Sequence, residues 1–190
     1  MRKFLLAMLA LGLATAAGAQ ELRLMISTPT DVILGLEGYE SAQGDLAGTY
    51  EPCFKDYGVS TPLIGLEYSH NIYRGIMLGA SLSYFHGYDS IYDPVEEEVL
   101  GERSINHFFL LATARNNWYD RHDLQIYSAL GLGIKLSHFS PETGSSELKT
   151  FFAGEVSFLG IQYGRRVAVF ADITYGNTSF VYRGGLAIKF

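Results

Sequence analysis

From residue 61 onward the chain falls into segments in which apolar residues recur at every second position, separated by turn-like residues. The clearest runs from Leu124 to Leu136. There Leu124, Ile126, Leu130, Leu132, Ile134 and Leu136 share one face, and Asp123, Gln125, Tyr127, Ala129, Gly131, Gly133 and Lys135 fill the other. A period of two places successive side chains on opposite faces of a β-strand. The same alternation marks 76–84, 167–175 and 182–190, and more loosely 64–68, 108–118 and 152–158. An eighth segment, Glu21 to Thr28, sets Leu22, Leu24 and Ile26 against Arg23, Met25 and Ser27. Residues 31–38 rival it for that role. Thr28-Pro29 reads as a helix cap followed by proline at the first helical position, which favours the earlier segment and allows a short helix around 32–36.

The connections alternate in length. Those at 71–75, 119–122 and 164–166 are tight, whereas 29–60, 89–102 and 139–147 are long and polar, and 176–179 closes the series. Short turns at one end and longer loops at the other are the habit of barrels that cross a membrane with strands. Proline agrees, since Pro29, Pro52, Pro94 and Pro141 fall in the long connections and Pro62 at a strand start. The expected fold is therefore all-β, an eight-stranded antiparallel up-and-down transmembrane β-barrel. Its even strand count puts both ends of the barrel chain on the short-turn side.

Composition sharpens which face meets what. A soluble sandwich also alternates, but it packs the apolar face inward and exposes many Lys and Glu. Here the polar faces are rich in Gly, Ala, Ser and Thr and carry isolated charges, which suits a narrow, side-chain-filled lumen too small for a wide aqueous channel. The charges predicted to point inward include Arg23, Glu67, Arg115, Lys135, Glu155, Asp172, Arg183 and Lys189. Buried singly they would be prohibitive, so a paired network is expected. Tyr68, Tyr84, Trp118, Tyr175 and Tyr182 lie near strand ends and fit an aromatic girdle.

The first residues predict export. Arg2 and Lys3 precede an apolar run from Phe4 to Leu13, and Ala17-Gly18-Ala19 offers a small-residue cleavage site. Cleavage is expected between Ala19 and Gln20, dividing the chain into a signal peptide at 1–19 and a barrel at 20–190. No cysteine follows the apolar run, so no lipid anchor is expected there. Beyond it no stretch is long and apolar enough for a transmembrane helix. Cys53 is the only cysteine, so it cannot form an intrachain disulfide, and it reads as an incidental loop residue. The net charge of −6 and the lack of a basic run argue against a nucleic-acid partner.

Tyr182-Arg183-Gly184-Gly185-Leu186-Ala187-Ile188-Lys189-Phe190 resembles the terminal assembly signal of bacterial outer-membrane proteins, with Tyr182, Leu186, Ile188 and Phe190 as its characteristic positions. That resemblance implies recognition by the barrel-assembly machinery, a Gram-negative outer-membrane location and outer-membrane lipid as surroundings. Glu21-Leu22-Arg23-Leu24, Asn117-Trp118-Tyr119 and the stretch from Leu124 to Gly133 resemble the small outer-membrane protein β-barrel domain family, porin-like in name and comparable to OmpA/OmpX-type barrels. Such a resemblance brings no functional residues, and no wall-binding domain accompanies it here.

Candidate chemistry is sparse. His138-Phe139-Ser140 has a His-x-Ser spacing similar to that of outer-membrane lipid A deacylases, and residues two apart share a strand face. Glu142 or Glu147 could orient the imidazole. Against this, His138 continues an aliphatic face, Pro141 turns the chain away, and the rest of that motif is missing. His70, His86, His107, His122 and His138 are scattered without metal-ligand spacing, and Glu96-Glu97-Glu98 reads as a solvated loop run rather than a calcium site. No catalytic, cofactor or metal residues are expected. The role expected is structural or surface interaction through 29–60 and 89–102, with an extracellular ligand that the sequence does not name; a lipid-modifying hydrolase and a narrow porin-like channel are the alternatives.

Overall fold

The computed structural model describes residues 21–29, 53–59, 61–93, 98–141 and 146–190. Its strands are β1 (Glu21–Pro29), β2 (Cys53–Val59), β3 (Leu63–Tyr73), β4 (Ile76–Asp93), β5 (Glu98–Arg121), β6 (Leu124–Pro141), β7 (Glu147–Gly164), β8 (Val167–Gly176) and β9 (Ser179–Lys189). Among the described residues there is no helix. The signal segment with Ala19 and Gln20, the rival first strand at 31–38 and the short helix at 32–36 lie outside them.

Eight strands close into an antiparallel ring, β1-β3-β4-β5-β6-β7-β8-β9 and back to β1, each paired with its neighbours. Closure is made by the first and last strands: Leu22 sits opposite Ile188, Leu24 opposite Leu186 and Ser27 opposite Arg183. A closed sheet leaves no row of unpaired backbone groups around its wall, the condition for crossing lipid with strands. The up-and-down barrel expected from the alternation is what forms.

Three tight turns, at 74–75, 122–123 and 165–166, mark one end of the ring, together with Glu21 and Lys189. In the first, Arg74 and Gly75 both adopt positive φ, 28° and 88°, the backbone of a two-residue hairpin whose twist matches that of its strands. The opposite, loop end is uneven. β1, β8 and β9 have 9, 10 and 11 residues, whereas β4, β6 and β7 have 18 and β5 has 24. About 10 tilted residues cross a bilayer. At about 3.3 Å per residue, an 18-residue strand outruns that crossing by roughly 25 Å along its length.

Two expectations are corrected there. The connection at 89–102 is mostly strand, because β4 and β5 stay paired from Ile76↔Asn116 to Asp93↔Glu98. The connection at 139–147 shrinks likewise, with β6 and β7 paired up to Phe139↔Glu147. There the alternation in the sequence fades while the backbone ladder continues. Within 29–60, residues 53–59 form β2, which pairs with β4 from Val59↔Gly87 to Cys53↔Tyr92 and prolongs the row begun by β3. Cys53 therefore stands in a strand and not in a loop. On the other side of this projecting wall, Asn177 finishes the edge of β7: its side-chain amide donates to Phe152 O (2.8 Å) and its Oδ1 accepts from Gly154 N–H (2.7 Å).

The wall is apolar outside and polar within. Leu24, Ile64, Leu78, Leu110, Leu132, Ile161, Val169 and Leu186 are exposed, and the alternate residues beside them are buried or half-buried. Among the described residues, eight buried side chains are ionisable as acids or strong bases: Glu21, Glu67, Glu155 and Asp172 against Arg23, Arg115, Arg183 and Lys135. That distribution inverts the usual one for a soluble sheet.

Candidate functional site: the lumen and the outer wall

β1 places Glu21 and Arg23 two residues apart, hence on one face, at the turn end of the lumen. Arg23 Nε donates to Glu21 Oε1 at 2.6 Å, and Arg115 Nη1, brought in from β5, reaches the same oxygen at 2.6 Å. Gln162 of β7 completes the group: its amide donates to Glu21 Oε2 (3.0 Å) and its oxygen accepts from Arg23. The guanidinium carbon of Arg23 lies 4.6 Å from the centre of the Tyr127 ring and 4.7 Å from that of Phe170, and Arg115 lies 5.3 Å from Tyr127 on another approach. Rings and carboxylate together replace the hydration that burial strips from Arg23; among the described residues Arg115 keeps its Nε and Nη1 without a hydrogen-bond partner and relies on the charge of Glu21 and the Tyr127 ring.

Further up, Arg183 of β9 binds both Glu155 of β7 and Asp172 of β8. Its Nε donates to Asp172 Oδ1 at 3.0 Å and its Nη2 to Ser157 Oγ at 2.9 Å. Asp172 also accepts from Tyr127 OH (2.9 Å) and Thr174 Oγ1 (2.6 Å), and Glu155 accepts from Thr178. Tyr127 thus joins the two clusters through its hydroxyl and its ring. Glu67 is buried within coulombic reach of both Arg23 and Arg183. Asp172 and Glu21 have nearly all their lone pairs engaged, which is what makes a buried ion group tolerable.

The loop end of the lumen has a different character. Phe85, Phe109, Leu63, Leu111 and Ala153 form a buried apolar cluster. His107 stacks on Phe85 with ring centres 5.4 Å apart, meets Phe139 edge-on at 6.4 Å, and contacts Ser137 Oγ through Nδ1 at 2.8 Å. Lys135 is buried with its ammonium 5.8 Å from the Phe109 ring centre and 5.7 Å from that of Phe151. Lys189, half-buried at the opposite end, donates to Gln125 Oε1 at 2.9 Å.

Of the residues singled out from sequence, Arg23, Arg115, Glu155, Asp172 and Arg183 come together in the two ion clusters, with Glu67 between them; Lys135 stands apart among rings. Tyr182, Leu186, Ile188 and Phe190 lie exposed along one outer row of the closing strand and just beyond it. Trp118, Tyr175 and Tyr182 are exposed, whereas Tyr68 and Tyr84 are half-buried, Tyr84 donating to Asn106 Oδ1 at 2.8 Å. Glu21, Gln162, His107 and Tyr127 are lumen residues whose role the alternation does not signal. Glu21 shares Arg23's face, but it begins its strand; Gln162 and His107 sit just beyond the segments that alternation delimits. Tyr127 was read only as part of a small or polar face, although its alternation with Ile126 already turned it inward.

His138 Nδ1 and Ser140 Oγ are 3.3 Å apart on the outer wall near the loop end. Across the sheet, Asn106 stands between His138 and His86, and its Oδ1 lies 3.1 Å from His86 Nδ1. Glu142 lies outside the described residues, and the side chain of Glu147 is not described. Among the described residues no group of three or more His, Cys, Asp or Glu could hold a metal ion.

No protein-family model and no curated protein matches the chain. Among solved structures it is similar to Ail, the attachment invasion locus protein of Yersinia pestis, in complex with the heparin analogue sucrose octasulfate. That match has 15% identity and a TM-score of 0.36, and covers 88% of this chain and 92% of the other. The barrel assignment rests on the strand pairing and not on that likeness. What the chain shows in its own right is a closed eight-stranded antiparallel ring with charge inside and hydrocarbon outside.

Proposed function

We propose that the chain is a small outer-membrane β-barrel of the porin-like outer-membrane domain family, exported by a signal peptide cleaved between Ala19 and Gln20, non-enzymatic, and acting by surface interaction at its loop end. The observation that carries this reading is the inverted wall: an exposed aliphatic belt around a ring whose interior charges are paired. Such a belt in water would be a large aggregation-prone patch, whereas in a bilayer it is the matched surface. The strand carrying Tyr182, Leu186, Ile188 and Phe190 is the element that the barrel-assembly machinery would read. The projecting wall of β4 to β7 then stands outside the cell, where an extended sheet can meet a partner.

Fractionation of expressing cells and heat-modifiable gel mobility test this together. Recovery in the outer-membrane pellet, with a mobility shift on boiling, is expected. Recovery in the soluble periplasmic fraction would sink the reading. A lumen filled by paired charges and stacked rings also predicts no stable unitary conductance in planar bilayers.

One observation favours a second reading, a lipid-modifying hydrolase: the 3.3 Å approach of Ser140 to His138 on the outer wall near the loop end. Lipid A recovered from cells overexpressing the wild type and Ser140→Ala decides it. A deacylated species made by the wild type alone supports the hydrolase; identical profiles remove it.

A further inference from the structure

The outer wall is interrupted near the turn end by an open groove of about 610 Å³, walled by Ile76, Trp118, Leu130 and Phe158 and floored by Ala114 and Ser128. Its origin is in the sheet. The pairing of β5 with β6 shifts between Asn117 and Tyr119, that of β6 with β7 between Tyr127 and Ala129, and that of β7 with β8 between Ser157 and Leu159. These shifts come from two inserted residues, Trp118 on β5 and Phe158 on β7, with Ser128 of β6 lying opposite the second, and all three line the groove. Bulges re-aim side chains, and here two, on the strands flanking β6, spread two exposed aromatic rings around a strip of small residues. A smooth lipid-facing wall needs none of them.

The foot of the groove is basic. Arg74 lies in the turn two residues before Ile76, and that turn is tied to the Trp118 strand by the Asn117 N–H donating to Gly75 O at 2.9 Å. Arg121 ends β5 three residues beyond Trp118, and both arginines are exposed. The rim carries Arg165 and Arg166 as well, against Asp120 and Asp123, and Asp123 is engaged by Arg165 at 2.6 Å. An apolar slot with exposed arginines on the adjoining turns, Arg74 beside the Tyr73 ring (5.6 Å) and Arg121 at the end of β5, matches half a lipid in shape and charge: an acyl chain along Trp118 and Phe158, and a phosphate toward Arg74 and Arg121.

We propose that this groove is a specific site for one anionic phospholipid of the leaflet at the turn end. It rests on the outer-membrane reading above. In lipid the belt around the barrel is solvated by exchanging chains; the groove would hold one molecule by its headgroup charge and by the side chains that the bulges display.

Trp118 is the only tryptophan of the chain, so its fluorescence reports on this place alone. The refolded full chain is placed in vesicles containing increasing fractions of phospholipid brominated on an acyl chain, with either an anionic or a zwitterionic headgroup. A bound lipid predicts quenching that saturates at a severalfold lower mole fraction of anionic than of zwitterionic brominated lipid. The variants Arg74→Asn and Arg121→Gln should abolish that preference, and Ala114→Phe, which fills the floor, should return quenching to a linear dependence. Retained heat-modifiable mobility shows that each variant still folds. Quenching that is linear and indifferent to headgroup in the wild type overturns the site while leaving the barrel in the membrane. Absence of quenching by any brominated lipid overturns the membrane reading and the site with it.

Discussion

The two halves of the lumen solve one packing problem by opposite means. Toward the turns, Arg23, Arg115 and Arg183 are held by Glu21, Glu155 and Asp172 through short directional bonds. Toward the loops, Phe85, His107, Phe109 and Phe139 fill the space as rings in mutual contact. A charge cluster fixes each member at a distance and an angle, and removal of one leaves its partner buried and uncompensated. A ring cluster fixes only volume. The same narrow cylinder should therefore be brittle at one end and forgiving at the other.

Arg183→Met should break the contrast open most widely. It strands Glu155 and Asp172 together, and loss of one member of a buried ion group costs about 3–5 kcal/mol. Urea unfolding of the refolded protein in lipid vesicles measures it, and a loss below about 1 kcal/mol would mean the cluster is far wetter than its burial shows. Combining that change with Glu155→Gln and Asp172→Asn should recover much of the loss, because no bare charge is then left.

Gly160→Ala probes the joint between the clusters. A methyl group there would fall 2.2 Å from Cζ of Tyr127, so the ring must move from its place between Arg23 and Asp172. Overpacking of this kind costs about 1–3 kcal/mol. Stability unchanged from the wild type would show that Tyr127 is free to shift and is not the joint described here.

Phe109→Leu tests the forgiving half. A hydrophobic swap of similar volume should cost less than about 1.5 kcal/mol in the same titration. A loss equal to that of Arg183→Met would erase the distinction between the halves. Arg165→Ala, at the exposed pair with Asp123, should leave the unfolding midpoint where it was, since exposed ion pairs are screened by water and salt.

Much of this architecture is legible in the chain because a lipid-facing wall needs apolar residues at every second position, and Leu124 to Leu136 can satisfy that only as a strand. The inward direction of Arg115, Glu155, Asp172 and Arg183 follows from the same alternation. Their partners do not. Arg115 meets Glu21, and Arg183 meets Glu155, only once tilt and closure set the stagger between strands, and no local pattern carries stagger. The projecting ends of β4 and β5 stayed hidden for another reason: Asp89, Ser90, Glu102 and Arg103 pair through their backbones, and a run of polar residues offers no alternation to read. The groove at Trp118 needs two bulges, on the strands either side of β6, and each is a one-residue irregularity that periodicity averages away.

The ladder between β1 and β9 also sets an order of events. Glu21 and Lys189 are neighbours in space and almost the whole chain apart in sequence. Hairpins such as β4–β5 can form early, because their strands are joined by short connections, but the seam must wait for the final strand and bears the largest loop-closure entropy of the sheet. Until then the assembly is an open ribbon with two sticky margins. A chain truncated before Tyr182 would keep its hairpins and never become a cylinder. The last strand to be made is the one that turns a sheet into an enclosure.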